Sequence, residues 1–201
     1  DLVRRLFSRL VNISDPDRVA IIPSVSYGLA TVARNAPVRQ GDNIVITEEQ
    51  FPSNVYTWHR LSADRGLRLN VVPAPNSIDS DRATTWNTRL LAAINNRTAL
   101  VALPQAHWTD GTLFDLEQVG QRARECNALL IVDGTQSVGA LPFDIERVRP
   151  DALVCAAYKW LLGPYSIGLA YFGPAFDQGI PLEENWIARR GSEAFADLIH
   201  Y

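Results

Sequence analysis

The amino-acid sequence predicts an α/β fold, a three-layer α/β/α arrangement around a mixed, mostly parallel sheet. Two observations predict it. Short apolar runs alternate with helical patterns through most of the 201 residues, as strands joined by helical crossovers do. Several runs, such as 128–132 and 152–155, are apolar at every position rather than at alternate ones. Strands covered on both faces read in that way.

The elements follow in order. Residues 2–12 alternate apolar and basic side chains at helical spacing. An Asp15-Pro16 turn leads into a strand over 19–22, which Pro23 stops. A helix follows over 26–35, with Ser24 or Ser26 near its N-cap. Gly41-Asp42 turns the chain into the strand NIVIT at 43–47. A helix over 53–65 ends near Gly66, and a strand over 67–72 is closed by Pro73. Residues 73–81 are polar and irregular, and a helix over 84–94 precedes a strand over 98–103 that ends at Pro104. Asp115 is placed to cap a helix over 115–127. Strands over 128–132, 152–155 and 167–172 complete the pattern, which weakens after Gly173-Pro174. Residues 1–173 therefore read as one domain, and 174–201 as a connection toward a second. The chain starts at Asp1 inside a helical pattern and contains no Met, so we expect part of a larger protein.

Composition excludes several classes. At 47% hydrophobic and 20% charged the chain is ordinary globular protein rather than disordered. A net charge of -3 and scattered arginines give no footprint for nucleic acid. No apolar run reaches the ~20 residues of a membrane span, and the first residues pattern as an amphipathic helix rather than a signal peptide. Cys126 and Cys155 sit in apolar settings. They read as buried thiols rather than a disulfide framework, which favours a reducing, cytoplasmic compartment. His59, His107 and His200 lack ligand spacing, so no metal site is expected.

In open α/β sheets ligands sit beyond the carboxyl ends of the strands. Polar residues collect just after them here: Ser24 and Ser26, the stretch from Phe51 to Asn54, Gln105 and His107, Asp133 and Gln136, Tyr158 and Lys159. An acid at one strand end and a lysine after the next suit pyridoxal 5'-phosphate. That cofactor needs an amine for a Schiff base and an acid for its pyridine nitrogen. Each residue alone has a plainer reading. Asp133 in VDGT also suits a turn cap, and Lys159 a surface lysine with a buried stem. Ser26 in PSVSYG offers a hydroxyl and its amide to a phosphate, beside the amide of Val25, yet an ordinary N-cap explains it equally well. Phe51 offers a ring for a planar cofactor or for the core. His107 and Trp108 in QAHWTDG suit the substrate side of the pocket, although a lone His is more often structural. A nucleotide site is disfavoured, since neither GxGxxG nor a P-loop occurs.

Taken together, VRQGDNIVITEEQFPSNVYTW, VDGTQSVGALPFDI and AAYKWLLGPYSIG resemble class V of the fold-type I pyridoxal-phosphate enzymes, a family with cysteine desulfurases, kynureninases and isopenicillin N epimerase, over about residues 2–172. The resemblance implies a cofactor-binding large domain over 1–173 and a small domain outside this chain. It implies Lys159 as the Schiff-base lysine and proton shuttle, Asp133 on the pyridine nitrogen and Gln136 on the phenolic oxygen. It implies Val25, Ser26 and Tyr158 at the phosphate, Phe51 stacking on the ring, Asn54 beside that ring and Trp108 in the cofactor pocket. It further implies a homodimer acting on a small-molecule amino acid by transaminase, desulfurase or lyase chemistry. Three positions depart from desulfurases. Ala156 stands where many relatives carry a hydroxyl, and Phe51 and Tyr158 stand where desulfurases carry histidines. Those departures keep open an alternative, a non-catalytic binding or assembly module on the same fold.

Overall fold

A computed structural model describes residues 2–76 and 81–199. Asp1, residues 77–80 of the irregular segment, and His200 and Tyr201 lie outside the described residues. Seven strands, β1 (Val19–Ile22), β2 (Asn43–Thr47), β3 (Arg68–Val72), β4 (Thr98–Pro104), β5 (Leu129–Asp133), β6 (Ala152–Ala156) and β7 (Gly168–Phe172), form one sheet in the order β1-β7-β6-β5-β4-β2-β3. The β2–β3, β2–β4, β4–β5 and β5–β6 pairs are parallel, and β7 runs antiparallel to both β6 and β1. The first six strands consequently point one way and end on one edge of the sheet.

The middle of the sheet, β2, β4, β5 and β6, is buried on both faces because these strands are apolar on both. In β4, Leu100 and Ala102 point to one side and Val101 and Leu103 to the other. The first side is covered by α2 (Val25–Asn35) and α3 (Ser53–Arg65), through Leu29, Val32, Trp58 and Leu61. The second is covered by α1 (Leu2–Leu10), α4 (Arg82–Ala93), α5 (Leu116–Glu125) and the one-turn α6 (Ile145–Val148). Phe7, Trp86, Leu90 and Val119 fill that layer, and two of the five tryptophans, Trp58 and Trp86, are wholly buried, one in each layer. The predicted three-layer α/β/α fold with a mixed sheet is the observed one.

Local signals act as their chemistry dictates. Ser24 caps α2 by accepting from the Tyr27 amide at 3.1 Å, Asp115 caps α5 by accepting from the Gln118 amide at 3.0 Å, and Gly66 ends α3 at φ 66°. Between the two candidate caps for α2 the structure selects Ser24 and puts Ser26 in the first turn. α6 is absent from the predicted elements and is nucleated by Asp144, which accepts from the Glu146 and Arg147 amides. Residues 174–199 carry three short 3-10 turns and neither α-helix nor strand. Among the described residues no helix is long and apolar enough to cross a membrane, and no cluster of His, Cys, Asp or Glu is arranged to hold a metal.

Candidate active site

The carboxyl edge of the sheet opens into a cavity of ≈ 310 Å³. Val25, Ser26, Phe51, Trp108, Asp133, Gln136, Tyr158 and Lys159 all line it. Residues from the ends of β1, β2, β4, β5 and β6 thus converge at one place, and each strand delivers one part.

β1 ends at Ile22, and Pro23 and Ser24 hand the chain to α2, whose first turn faces the cavity. The leading amides of any helix lack intrahelical partners and carry the positive end of its dipole. Val25 and Ser26 place such amides in the wall, and the exposed Ser26 adds its hydroxyl. β5 ends at Asp133, which is 7% exposed. Burial pushes its carboxyl above the ordinary carboxylate range; hydrogen bonds from the Thr135 hydroxyl and amide and the charge of Lys159 oppose that push. The Thr135 amide donates to Asp133 Oδ1 at 3.0 Å. The Thr135 oxygen in turn accepts from the Ala156 amide at 3.1 Å, tying β5 to the end of β6.

Beyond β6 the chain makes the turn that carries Lys159. The Leu162 amide donates to the Lys159 carbonyl at 3.1 Å and the Gly163 amide to the Ala157 carbonyl at 2.8 Å. Leu162 and Ser166 adopt left-handed backbone, at φ 54° and 63°. Gly139 lets the 134–141 segment lie against this turn: at φ 100°, a Cβ there would stand 2.5 Å from the Trp160 carbonyl oxygen. Lys159 Nζ sits 5.6 Å from the centre of the Phe51 ring and 6.0 Å from that of Tyr158. It is the one cation lining the cavity among the described residues.

Several predicted positions behave differently. Asn54 stands beside the site rather than in its wall. It is 1% exposed, its Oδ1 accepts from Trp58 Nε1 at 2.9 Å, and its backbone N–H donates to the Phe51 carbonyl at 2.8 Å. Its place one helical turn before Trp58 aims the side chain into the core. His107 is buried under the corner that carries Phe51, and Gln105 donates to the Pro142 carbonyl at 3.1 Å; neither lines the cavity. Thr135 and Tyr165 line it without having been singled out. Tyr165 stacks on Tyr158 with ring centres 4.2 Å apart. The Gly163-Pro164 turn was the signal for Tyr165, and the place of Thr135 between Asp133 and Gln136 was the signal for Thr135.

The residues present suit pyridoxal 5'-phosphate. Free helix amides fit its phosphate, a buried carboxyl pushed upward fits a protonated pyridine nitrogen, and an amine stands over an aromatic ring. Comparison with known proteins agrees. The sequence model of the family "Aminotransferase class-V" matches residues 1–184. An "Uncharacterized aminotransferase YcbU" of Bacillus subtilis (strain 168) is 27% identical over 190 residues, 94% of this chain and 49% of that protein. A cysteine desulfurase of Enterobacter sp. (strain 638) is 30% identical over 182 residues, 89% of this chain and 43% of that protein. Among solved structures, the cystine C-S lyase C-DES in complex with cysteine persulfide superposes with a TM-score of 0.80 at 24% identity, covering 92% of this chain and 49% of that one. The chain spans about half the length of the relatives it matches. The chain belongs to the class-V aminotransferase family, whose cofactor is pyridoxal 5'-phosphate.

Proposed function

We propose that this chain is the cofactor-binding part of a pyridoxal-phosphate enzyme that acts on a small-molecule amino acid, with transferase or lyase chemistry. The observation that carries the proposal is the placement of Asp133, Lys159 and the open first turn of α2 on one cavity. When bound, the cofactor supplies an electron sink for carbanion chemistry. The chain's own residues do the rest. Lys159 would hold the cofactor by its Nζ and would serve as the base that moves a proton at the substrate's α-carbon. Asp133 keeps a proton on the ring nitrogen, and its own burial strengthens that pairing. The Val25 and Ser26 amides and the Ser26 hydroxyl would hold the phosphate together with Tyr158, and Gln136 would donate to the phenolic oxygen. Phe51 covers one face of the ring and excludes water from it.

Full-length protein loaded with pyridoxal 5'-phosphate is expected to be yellow and to lose its visible absorbance on borohydride reduction. Lys159→Ala is expected to bind the cofactor reversibly with no reducible band and to turn over no amino acid. A reducible band that persists in Lys159→Ala sinks the assignment. The same proposal includes a homodimer in the cytoplasm. Supporting it are the exposed apolar side chains Trp160, Leu162, Tyr165 and Ile167 around the lysine turn and the two buried free cysteines. Equilibrium sedimentation of the full-length protein as a monomer counts against the dimer.

A further inference from the structure

The corner between β2 and α3, residues 48–51, decides where Phe51 stands. Glu49 takes left-handed backbone there, at φ 52°. Two neighbouring side chains of the loop after β4 fasten it. His107 Nε2 is 3.1 Å from the Glu48 carbonyl oxygen, and Trp108 Nε1 donates to the Glu49 carbonyl at 2.6 Å. Gln50 Nε2 donates to the Ala102 carbonyl of β4 at 2.9 Å. Three successive residues of the corner are therefore tied to β4 and its loop. The fourth, Phe51, is left facing the cavity, with the Trp108 ring edge-on to it at 5.5 Å.

Elementary chemistry fixes the state of His107. A carbonyl oxygen only accepts, so Nε2 carries the hydrogen. Burial disfavours the charged ring and lowers its pKa; the Glu48 carbonyl and the charges of Asp110 and Glu49 pull the other way, and Arg82 lowers it further. The neutral ring then accepts at Nδ1 from the Thr109 hydroxyl, 2.8 Å away. Trp86 packs against it with ring centres 4.9 Å apart and the planes tilted by 49°, which limits rotation of the ring. Asp110, 3.8 Å from Nδ1, is drawn off by Arg82 at 2.8 Å.

We propose that His107 and Trp108 together are positioning residues that set the height and tilt of Phe51 over the cofactor ring. This rests on the reading of the cavity as a pyridoxal-phosphate site. The test uses the full-length protein and pyridoxal 5'-phosphate, reading affinity by titration and ring tilt by the visible circular-dichroism band of the bound cofactor. His107→Phe keeps a ring but loses the donor. It is expected to weaken binding about tenfold, the scale of one lost buried hydrogen bond, and to reduce the dichroic band. His107→Gln, whose amide reaches the same carbonyl, is expected to restore affinity to within about threefold. In a Phe51→Ala background the added His107→Phe change is expected to alter affinity less than about twofold, because coupled residues do not act additively. Equal losses in both backgrounds, or no rescue by Gln, overturn the proposal. Trp108→Phe, at a half-exposed site, reads the same clamp if His107→Phe fails to fold. If the wild-type protein takes up no cofactor, the reading of the cavity falls and hydrogen exchange of the 47–56 peptide decides the clamp. Exchange about tenfold faster in His107→Phe than in His107→Gln supports it, and equal exchange overturns it.

Discussion

Gly28→Ala tests whether the phosphate cradle depends on how closely α2 approaches the sheet. A Cβ at Gly28 would lie 2.7 Å from Val154 Cγ1 and 2.9 Å from Ile22 Cδ1. Carbon contacts are comfortable near ~3.5 Å, so the helix is too close by about 0.8 Å. Neither neighbour yields readily. Both are buried, and a β-branched side chain has little rotamer freedom. The helix must lift instead, at an overpacking cost of about 1–3 kcal/mol. Ala in place of a helical Gly returns about 0.8–1 kcal/mol. The net loss is about 0–2 kcal/mol, a small shift of the urea midpoint in the cofactor-free protein. The effect on the site is larger. A lift of several tenths of an ångström carries the Val25 and Ser26 amides from good hydrogen-bond length toward its limit. A charge-assisted bond is worth about 1.5–3 kcal/mol, so cofactor affinity is expected to fall about ten- to a hundredfold. Affinity within about threefold of the parent, with the urea midpoint lowered, would refute the claim that this approach sets the cradle.

Two further outcomes follow from groups near the cavity. Thr135→Val removes the oxygen that accepts from the Ala156 amide and leaves that buried amide unpaired, at about 1–3 kcal/mol. The melting temperature is expected to drop by about 2–12 °C for a chain of this size, with Thr135→Ser close to wild type; an unchanged Thr135→Val melt removes the hydroxyl from the account. His107 gives a pH signature. Its pKa is lowered on folding, so its contribution to stability is fully present above the unfolded value of about 6.5. It is lost as pH falls through that value toward the folded one, with a slope of no more than about 1.4 kcal/mol per pH unit. Denaturant unfolding from pH 7.5 to 5 should show this loss in the wild type and less of it in His107→Gln; parallel profiles would remove His107 as its source.

The strands were legible because burial on both faces leaves no room for alternation, and the structure moves their ends by a residue at most. β5 closes on Asp133 rather than Val132, which makes the acid the last strand residue instead of the first loop residue. The direction of β7 was less legible, although the sequence held a clue. Only residues 157–167 separate it from β6, with no helical pattern, and a parallel return needs a longer crossover. α6 offers only Ile145 and Val148 as buried residues within a single turn, too short a run for periodicity to register. At the site, residues on strand ends were legible because the fold rule sends them all to one edge. Side-chain direction was not. His107 and Trp108 are adjacent in sequence, yet the chain turns at 108–110, where the Gly111 amide donates to the His107 carbonyl, so one is buried and the other lines the cavity. Asn54 lies outside the wall because the first turn of α3 is kinked at that residue (φ -95°, ψ 23°) and its side chain accepts from Trp58 in the core.

The site makes three chemical demands that few molecules meet together. The first turn of α2 presents unpartnered amides and a hydroxyl, which call for an anion. Asp133 is a carboxyl held upward by burial with one cationic neighbour, and a protonated ring nitrogen relieves that situation where a neutral ligand does not. Lys159 stands over Phe51 within the same cavity and calls for an electrophilic carbon. A nucleotide supplies the anion and no electrophilic carbonyl. An aldehyde borne on a phosphorylated pyridine answers all three. These demands are shared by every reaction of the family, so what distinguishes this chain must lie in the residues that surround them. Phe51 offers the cavity a ring that cannot titrate, Tyr158 and Tyr165 stack on one another beside the lysine, and Trp108 closes the wall near β4. Together they surround Lys159, the one cation of the cavity among the described residues, with aromatic surface, and the proposed role of that lysine as the base gains no second basic side chain to share it.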